Sequence, residues 1–197
     1  MRVLLHLILW RLGLAAAESQ TTIAERECLA RYAAGRRRLA EIGVWHGVTT
    51  RRLRAAMAPD ADLLAIDPYP VGRLGFSAQR YIAHHEVAGV KNGRVRWIRA
   101  TGVETARRIA AAREAPVDFL FIDGDHTYEG LRDDWESWSG LVAPDGLVVL
   151  HDSRSTSARN IDGAGSVLFT NDVILRDGRF VSADAVDSLT ILRRLST

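Results

Sequence analysis

The stretch that most constrains this chain runs from Val117 to Ser153, VDFLFIDGDHTYEGLRDDWESWSGLVAPDGLVVLHDS. Two apolar runs in it, Phe119 to Ile122 and Leu147 to Leu150, stop abruptly at residues able to bind metal or move protons. Asp123-Gly124-Asp125-His126 follows the first run and His151-Asp152 the second. Apolar runs without polar alternation suit strands buried on both faces, as in a parallel sheet covered by helices. Between them, Tyr128 to Trp138 is amphipathic and long enough for the crossover helix that parallel neighbours require. Ligands of such sheets bind beyond the carboxyl ends of the strands, so two acidic strand ends fall side by side at the expected site.

The rest of the chain repeats this grammar. Thr22 and Glu25 are spaced as a capping box for a helix whose apolar face carries Ile23, Ala24, Cys28, Leu29 and Tyr32, ending near Gly35. Arg38 to Val44 reads as the first strand, and EIGVWHGVTT (Glu41 to Thr50) as its glycine-bearing turn into a helix from Thr49 to Met57. Gly43 and Gly47 allow a tight turn and close approach to a ligand, while the helix start offers free N–H groups to a carboxylate or phosphate. Leu63 to Ile66 is a second strand ending in Asp67-Pro68; a carboxylate there can accept both hydrogen bonds of a ribose diol, or can simply start a turn. Helices over Phe76 to Val87 and Glu104 to Arg113 flank a third strand at Val95 to Ile98, and Val117 to Ile122 is the fourth. Ser153 to Gly165 reads as an irregular loop near the site, followed by a helix (Val167 to Leu175) and two strands (Phe180 to Ala183, Leu189 to Leu192). The order predicts an α/β fold, a doubly wound, Rossmann-like sheet closed by a C-terminal antiparallel hairpin.

Length and composition narrow the class. A chain of 197 residues, 47% apolar, reads as one domain: an N-terminal helical segment over 1–35 and a cofactor-binding and catalytic core over 36–197. The single Cys28 excludes an internal disulfide and any multi-thiolate zinc site, which points to a reducing cytoplasmic setting. Net charge is +2 with no basic tail, and Arg36-Arg37-Arg38 reads as a solvated face, so no nucleic-acid partner is expected. Met1 to Ala17 resembles a signal peptide in outline, but His6 and Arg11 interrupt it and it is too short to span a bilayer. It is read as a retained apolar helix that packs on the domain or joins two copies into a homo-oligomer.

These residues resemble class I S-adenosylmethionine-dependent methyltransferases, whose seven-stranded sheet ends in an antiparallel hairpin strand; the resemblance covers Arg38 to Arg193. EIGVWHGVTT is similar to the cofactor motif of metal-dependent O-methyltransferases, catechol O-methyltransferase among them. IDGDHTYEGLRDDWESWSGLVAPDGLVVLHDS is closer still to a small bacterial branch that includes macrolide-sugar O-methyltransferases and cephalosporin hydroxylase-like proteins. The resemblance implies that Glu41 and Gly43 line the methionine end of the cofactor, that Gly47 and Thr49 supply polar contacts, and that Asp67 holds the ribose. It implies that Trp45 lies near the sulfonium, with core packing as the alternative, and that Thr101 and Gly102 meet adenine. Asp123, His151 and Asp152 would hold a divalent metal, with Asp123 also beside the cofactor, and His126 would be the general base. Asp125 could orient His126, ligate the metal in its place, or be a solvated turn residue. His151 departs from the acidic or amide residue usual there, and shifts the expected ion from Mg²⁺ toward Mn²⁺.

The implied reaction is methyl transfer to a hydroxyl of a small molecule, in natural-product biosynthesis. A neutral alcohol is a poor nucleophile, so a metal and a base answer its high pKa. Two competing functions follow from the same residues: a metal-dependent oxygenase or hydroxylase-like protein, and a module that binds the cofactor without catalysis. NAD is disfavoured because Gly43 and Gly47 stand four apart and the Gly-x-Gly-x-x-Gly fingerprint is missing. Arg73, Arg154 and Arg159 lie in the loops that would set specificity, where they would suit an acidic or phosphorylated group or be solvated.

Overall fold

At the centre of the sheet two strands lie side by side: β1 (Arg38–Ile42) and β4 (Val117–Ile122) pair in parallel with Glu41 opposite Phe121. In the computed structural model, which describes residues 2–72 and 75–196, the seven strands are ordered β3-β2-β1-β4-β5-β7-β6. Strands β2 (Asp62–Ile66), β3 (Arg94–Ile98) and β5 (Val142–Leu150) run parallel to this pair, while β6 (Phe180–Val186) and β7 (Leu189–Arg194) form the antiparallel edge.

The apolar runs are continuous because both faces of the sheet are covered. Successive side chains on a strand point to opposite faces. Phe119 and Phe121 therefore join Leu29, Leu53 and Ile191 on the side of α2 (Ile23–Ala33) and α3 (Val48–Ala56). Leu120 and Ile122 instead meet Ile109, Trp135 and Phe169 on the side of α5 (Gly102–Ala111), α6 (Tyr128–Trp138) and α7 (Gly165–Asp172). The N-terminal apolar segment folds as α1 (Arg2–Arg11) and packs on α4 (Ala78–Ala88), where Trp10 Nε1 donates to Glu86 Oε1 at 3.0 Å.

Several boundaries differ from the sequence reading, each for a local reason. β1 stops at Ile42 rather than Val44 because Gly43 turns the backbone with φ +88°. β5 starts at Val142, five residues early, and its register with β4 shifts between Val117 and Phe119. Pro144, Asp145 with φ +60°, and Gly146 make that shift a bulge, which periodicity does not reveal. α5 begins at Gly102, two residues early, because Thr101 and Glu104 form a second capping box. α7 spans Gly165–Asp172, and Ile174–Arg176 continues as a 3₁₀ turn.

Candidate active site

The parallel strands end together, and their carboxyl ends open into a cleft of about 640 Å³, a size that suits a small-molecule or cofactor site. Its walls come from the turns after β1, β2, β3 and β4, from the start of α3 and α5, and from one side of α6.

The β1 turn is built by two glycines and one carboxylate. A Cβ on Gly43 would stand 1.9 Å from the carbonyl oxygen of Asp123, so the ends of β1 and β4 approach as only glycine allows. Asp67, at the tip of β2, holds the turn with its side chain. Its Oδ2 accepts from the N–H groups of Val44 and Trp45, both at 3.1 Å, and its Oδ1 from Tyr69 N at 2.7 Å. A carboxylate has about four acceptor positions, so Asp67 can organise this turn and still receive a ligand hydroxyl. Trp45 sits on that turn with φ +52° and is 40% exposed at the cleft wall, not packed into the core.

At the other wall, His126 lies in the turn between β4 and α6 with its ring partly exposed; Nε2 is 3.5 Å from Asp123 Oδ1. Behind Asp123 is His151, buried, with Nδ1 2.8 Å from Asp123 Oδ1 and Nε2 3.6 Å from Glu25 Oε2. Burial opposes charge on His151, but the carboxylates of Asp123 and Glu25 outweigh it, so its pKa stands well above the usual value and the ring is an imidazolium at neutral pH.

Gly43, Trp45, Thr49, Asp67, Thr101, Gly102, Asp123 and His126 all line the cleft, as does Asp125. Glu41 does not: it is wholly buried on β1 below the turn, and neither carboxylate oxygen has a hydrogen-bond partner among the described residues. Burial, then the charges of Asp123 and Asp67, hold Glu41 well above the ordinary carboxylate range, hence neutral. Gly47 is also away from the walls; with φ +76° it starts α3 against the backbone of Ala83 on α4, where a Cβ would be 3.0 Å from the Ala83 Cα. Thr101 spends its hydroxyl on the α5 cap, accepting from Glu104 N at 3.2 Å.

The metal trio is only partly gathered. Asp152 is 3.9 Å from His151 Nδ1, but its carboxylate faces Arg159, whose Nη1 donates to both oxygens at 2.8 and 3.0 Å. Besides His6, Glu18 and His46 at the N-terminal segment, the grouping of described residues whose ligand atoms lie within 4.8 Å of one another is Asp123, His126 and His151. That oxygen-and-nitrogen donor set fits a divalent transition ion better than Mg²⁺. Arg73 lies outside the described residues. Arg159 is tied to Asp152, inside a loop that Ser155 closes by accepting from Ile161 N at 2.8 Å.

Three features escaped the sequence reading. Glu25 is a buried link from α2 to His151 and to the β6–β7 turn, where Ser188 N donates to its Oε1 at 2.9 Å; only its capping-box role is legible in sequence. Glu18, Ser19 and Gln20 of the N-terminal segment form part of the cleft lip. Asp134 on α6 also lines the cleft although it is 7% exposed, and its place four residues beyond Gly130 on the buried helix face was the available signal. The cleft as a whole is acidic: Glu18, Asp67, Asp123, Asp125, Asp133 and Asp134 line it, with no Lys or Arg among the described lining residues.

Residues 40–153 match the family model described as methyltransferase domain. Among solved structures, the chain is similar to an O-methyltransferase from Bacillus cereus in complex with SAH, at 17% identity and TM-score 0.67, covering 99% of this chain and 89% of that one. It is similar to the O-methyltransferase TomG from Streptomyces achromogenes, involved in tomaymycin synthesis and solved with SAM, at 18% identity and TM-score 0.66, covering 97% and 87%. The N-methyltransferase NodS from Bradyrhizobium japonicum shares the architecture at 12% identity and TM-score 0.58, covering 87% and 93%. At these identities the likeness is one of fold, shared by enzymes that methylate oxygen and nitrogen alike. The matched segment holds the β1 turn, Asp67, the β4 end and the His151-Asp152 pair, and on it the chain belongs to the methyltransferase-domain family.

Proposed function

We propose that this protein transfers the methyl group of S-adenosylmethionine to a hydroxyl oxygen of a small molecule, with His126 as the general base. The observation that carries the reading is the charge of the cleft. Six acidic residues and no described Lys or Arg line it, which favours a ligand bearing a sulfonium and an ammonium and disfavours the pyrophosphate of NAD. Gly43, Trp45, Thr49, Asp67, Thr101, Gly102 and Asp123 are the proposed cofactor contacts. Glu41 and Gly47 shape the turn from beneath. The exposed ring of Trp45 can stabilise a neighbouring positive charge by on the order of 1 kcal/mol.

In this reading Asp123 orients His126 and His126 takes the hydroxyl proton, while the turn and strand ends align oxygen, methyl carbon and sulfur. Asp123 and His151, with Asp152 or His126, are the residues that would hold Mg²⁺ or Mn²⁺. Such an ion supplies Lewis acidity that lowers a hydroxyl pKa. Recruiting Asp152 requires it to release Arg159, and recruiting His151 requires its proton to leave. A second reading has one observation behind it: Asp123, His126 and His151 are two imidazoles and a carboxylate, the donor set of non-haem iron oxygenases.

A natural-product substrate and a cytoplasmic setting remain part of the proposal. So does pairing of two copies through α1, whose Val3, Leu4, Leu5 and Ile8 are exposed, as is Leu12 just after it. Among the described residues no helix is long and apolar enough to cross a membrane. Calorimetry tests the core of the proposal: S-adenosylhomocysteine should bind and NAD should not, and the reverse would overturn it. Methyl transfer that stops in chelator and returns with Mn²⁺ supports the metal; full turnover in chelator, with no metal by elemental analysis, removes it. Oxygen consumption dependent on Fe²⁺ would favour the oxygenase, and cofactor binding without turnover of any hydroxyl the non-catalytic module.

A further inference from the structure

Away from the Asp123 wall, a second pair of histidines meets a carboxylate. His6 on α1, Glu18 on the cleft lip and His46 on the β1 turn come from three separate segments, and one ligand atom from each lies within 4.8 Å of the others. His6 interrupts the apolar run of α1 between Leu5 and Leu7, and its Nε2 is buried with no hydrogen-bond partner among the described residues. A buried polar atom left unpaired is costly, and methyl transfer makes no use of this ring. His46 is 2% exposed and forms a fixed wall. Glu18 N donates to His46 Nδ1 at 3.0 Å, so that nitrogen carries a lone pair and not a proton. The Glu18 carboxylate faces both rings, with Oε1 3.4 Å from His6 Nδ1 and Oε2 4.0 Å from His46 Nδ1.

We propose that His6, Glu18 and His46 form a binding site for Zn²⁺ or a similar late transition ion, separate from the grouping around Asp123, that ties α1 and the cleft lip to the β1 turn. Two imidazoles and a carboxylate suit such an ion, and three protein ligands leave a fourth position open to water. Bonds of about 2.0–2.1 Å in a tetrahedron put donors roughly 3.4 Å apart. The 3.4 Å between His6 and Glu18 already matches, and the 4.0 Å between Glu18 and His46 closes with a small turn of the carboxylate. Two adjustments are needed. The rings stack with 7° between their planes and centroids 5.0 Å apart, so they must tilt toward a shared ion. The Glu18 N–H must also yield the His46 lone pair, which its exposed place in an irregular segment allows. The ion would bear on the cleft through Glu18 and through Trp45, which line it; the Trp45 ring stacks on His46 at 5.1 Å. The site stands whatever the cleft binds.

The test uses the full chain, stripped of metal and dialysed against Zn²⁺ alone, with elemental analysis to count bound ions and calorimetry for affinity. Co²⁺ in place of zinc adds a visible absorption band that reports tetrahedral coordination. His6→Ala should remove one equivalent of zinc or weaken it by at least about 100-fold, and should lose the cobalt band. Glu18→Gln, at an exposed position where folding is not at stake, should weaken the same equivalent. Asp123→Asn should leave that equivalent and its band in place. No zinc retained by the wild type, equal zinc content and affinity in wild type and His6→Ala, or loss of the same equivalent in Asp123→Asn would each overturn the proposal. The last of these would move the ion to the Asp123 grouping.

Discussion

At the scale of single residues, the cleft assigns different tasks to histidines with similar neighbours. His126 and His151 both lie beside Asp123, but the first is open to the cleft and the second is sealed between two carboxylates. An imidazolium held by Asp123 and Glu25 has no free lone pair with which to take a proton, so in the proposed mechanism the base is His126. His126→Ala is expected to lower kcat by about 10²–10⁴ with little change in S-adenosylhomocysteine affinity, because the lost interaction belongs to the transition state. The deficit should narrow as pH rises and more of the substrate hydroxyl ionises unaided. Steady-state kinetics across pH checks this, and a variant that keeps near wild-type kcat at neutral pH would make His126 structural.

At the scale of elements, α2 does more than cover one face of the sheet. Its capping box is closed by Glu25, whose Oε2 accepts from Thr22 N at 2.7 Å. The same carboxylate receives Ser188 N at 2.9 Å and Ser188 Oγ at 2.6 Å and faces His151 Nε2 at 3.6 Å. One side chain thus joins α2, the β6–β7 turn and the end of β5. Burial alone would raise its pKa, but the contacts with His151 and Ser188 lower it, so it is ionised in the fold. Glu25→Ala removes the counter-charge of a buried imidazolium and should destabilise the protein by on the order of 3–5 kcal/mol, read as a shift in urea midpoint. Glu25→Gln, which keeps hydrogen-bonding capacity, should cost less. A midpoint unchanged in the Ala variant would show that α2 is held by its apolar face alone.

At the scale of the whole molecule, buried ionisable groups give stability a direction with pH. Asp134, raised to about 7 chiefly by burial, and Glu41, raised further by its complete burial, bind protons in the folded chain that the unfolded chain has already released. Their contribution is therefore lost as pH rises above the unfolded carboxylate values. His151 is raised despite burial, and its contribution, full below the unfolded histidine value, is lost as pH rises through its folded value. Glu25 has the opposite sign: its contribution is present above its unfolded value and is lost as pH falls through its lowered folded one. Ligand-free protein should accordingly resist urea better at about pH 5.5 than at about pH 8.5. Asp134→Asn should flatten that dependence. A midpoint that rises toward alkaline pH would contradict these protonation states.

The sequence by itself determined the strands, the crossover helices and the acidic strand ends. Apolar runs and caps are local, and two-sided burial leaves a continuous pattern that can be read without knowing what does the burying. The resemblance of EIGVWHGVTT and of the stretch around IDGDH supplied the family and several of the cleft residues. Tertiary structure alone decided how charges meet across the sheet. Glu25 and His151 stand far apart in the chain, Asp152 turns to Arg159 instead of Asp123, and Glu41, two residues before Gly43, is sealed below the turn. Asp134 reaches the cleft because Gly102 and Gly124 on two other segments leave room for it. Coulomb energy and desolvation depend on distance and burial in space, and neither is written in the spacing of residues along a chain.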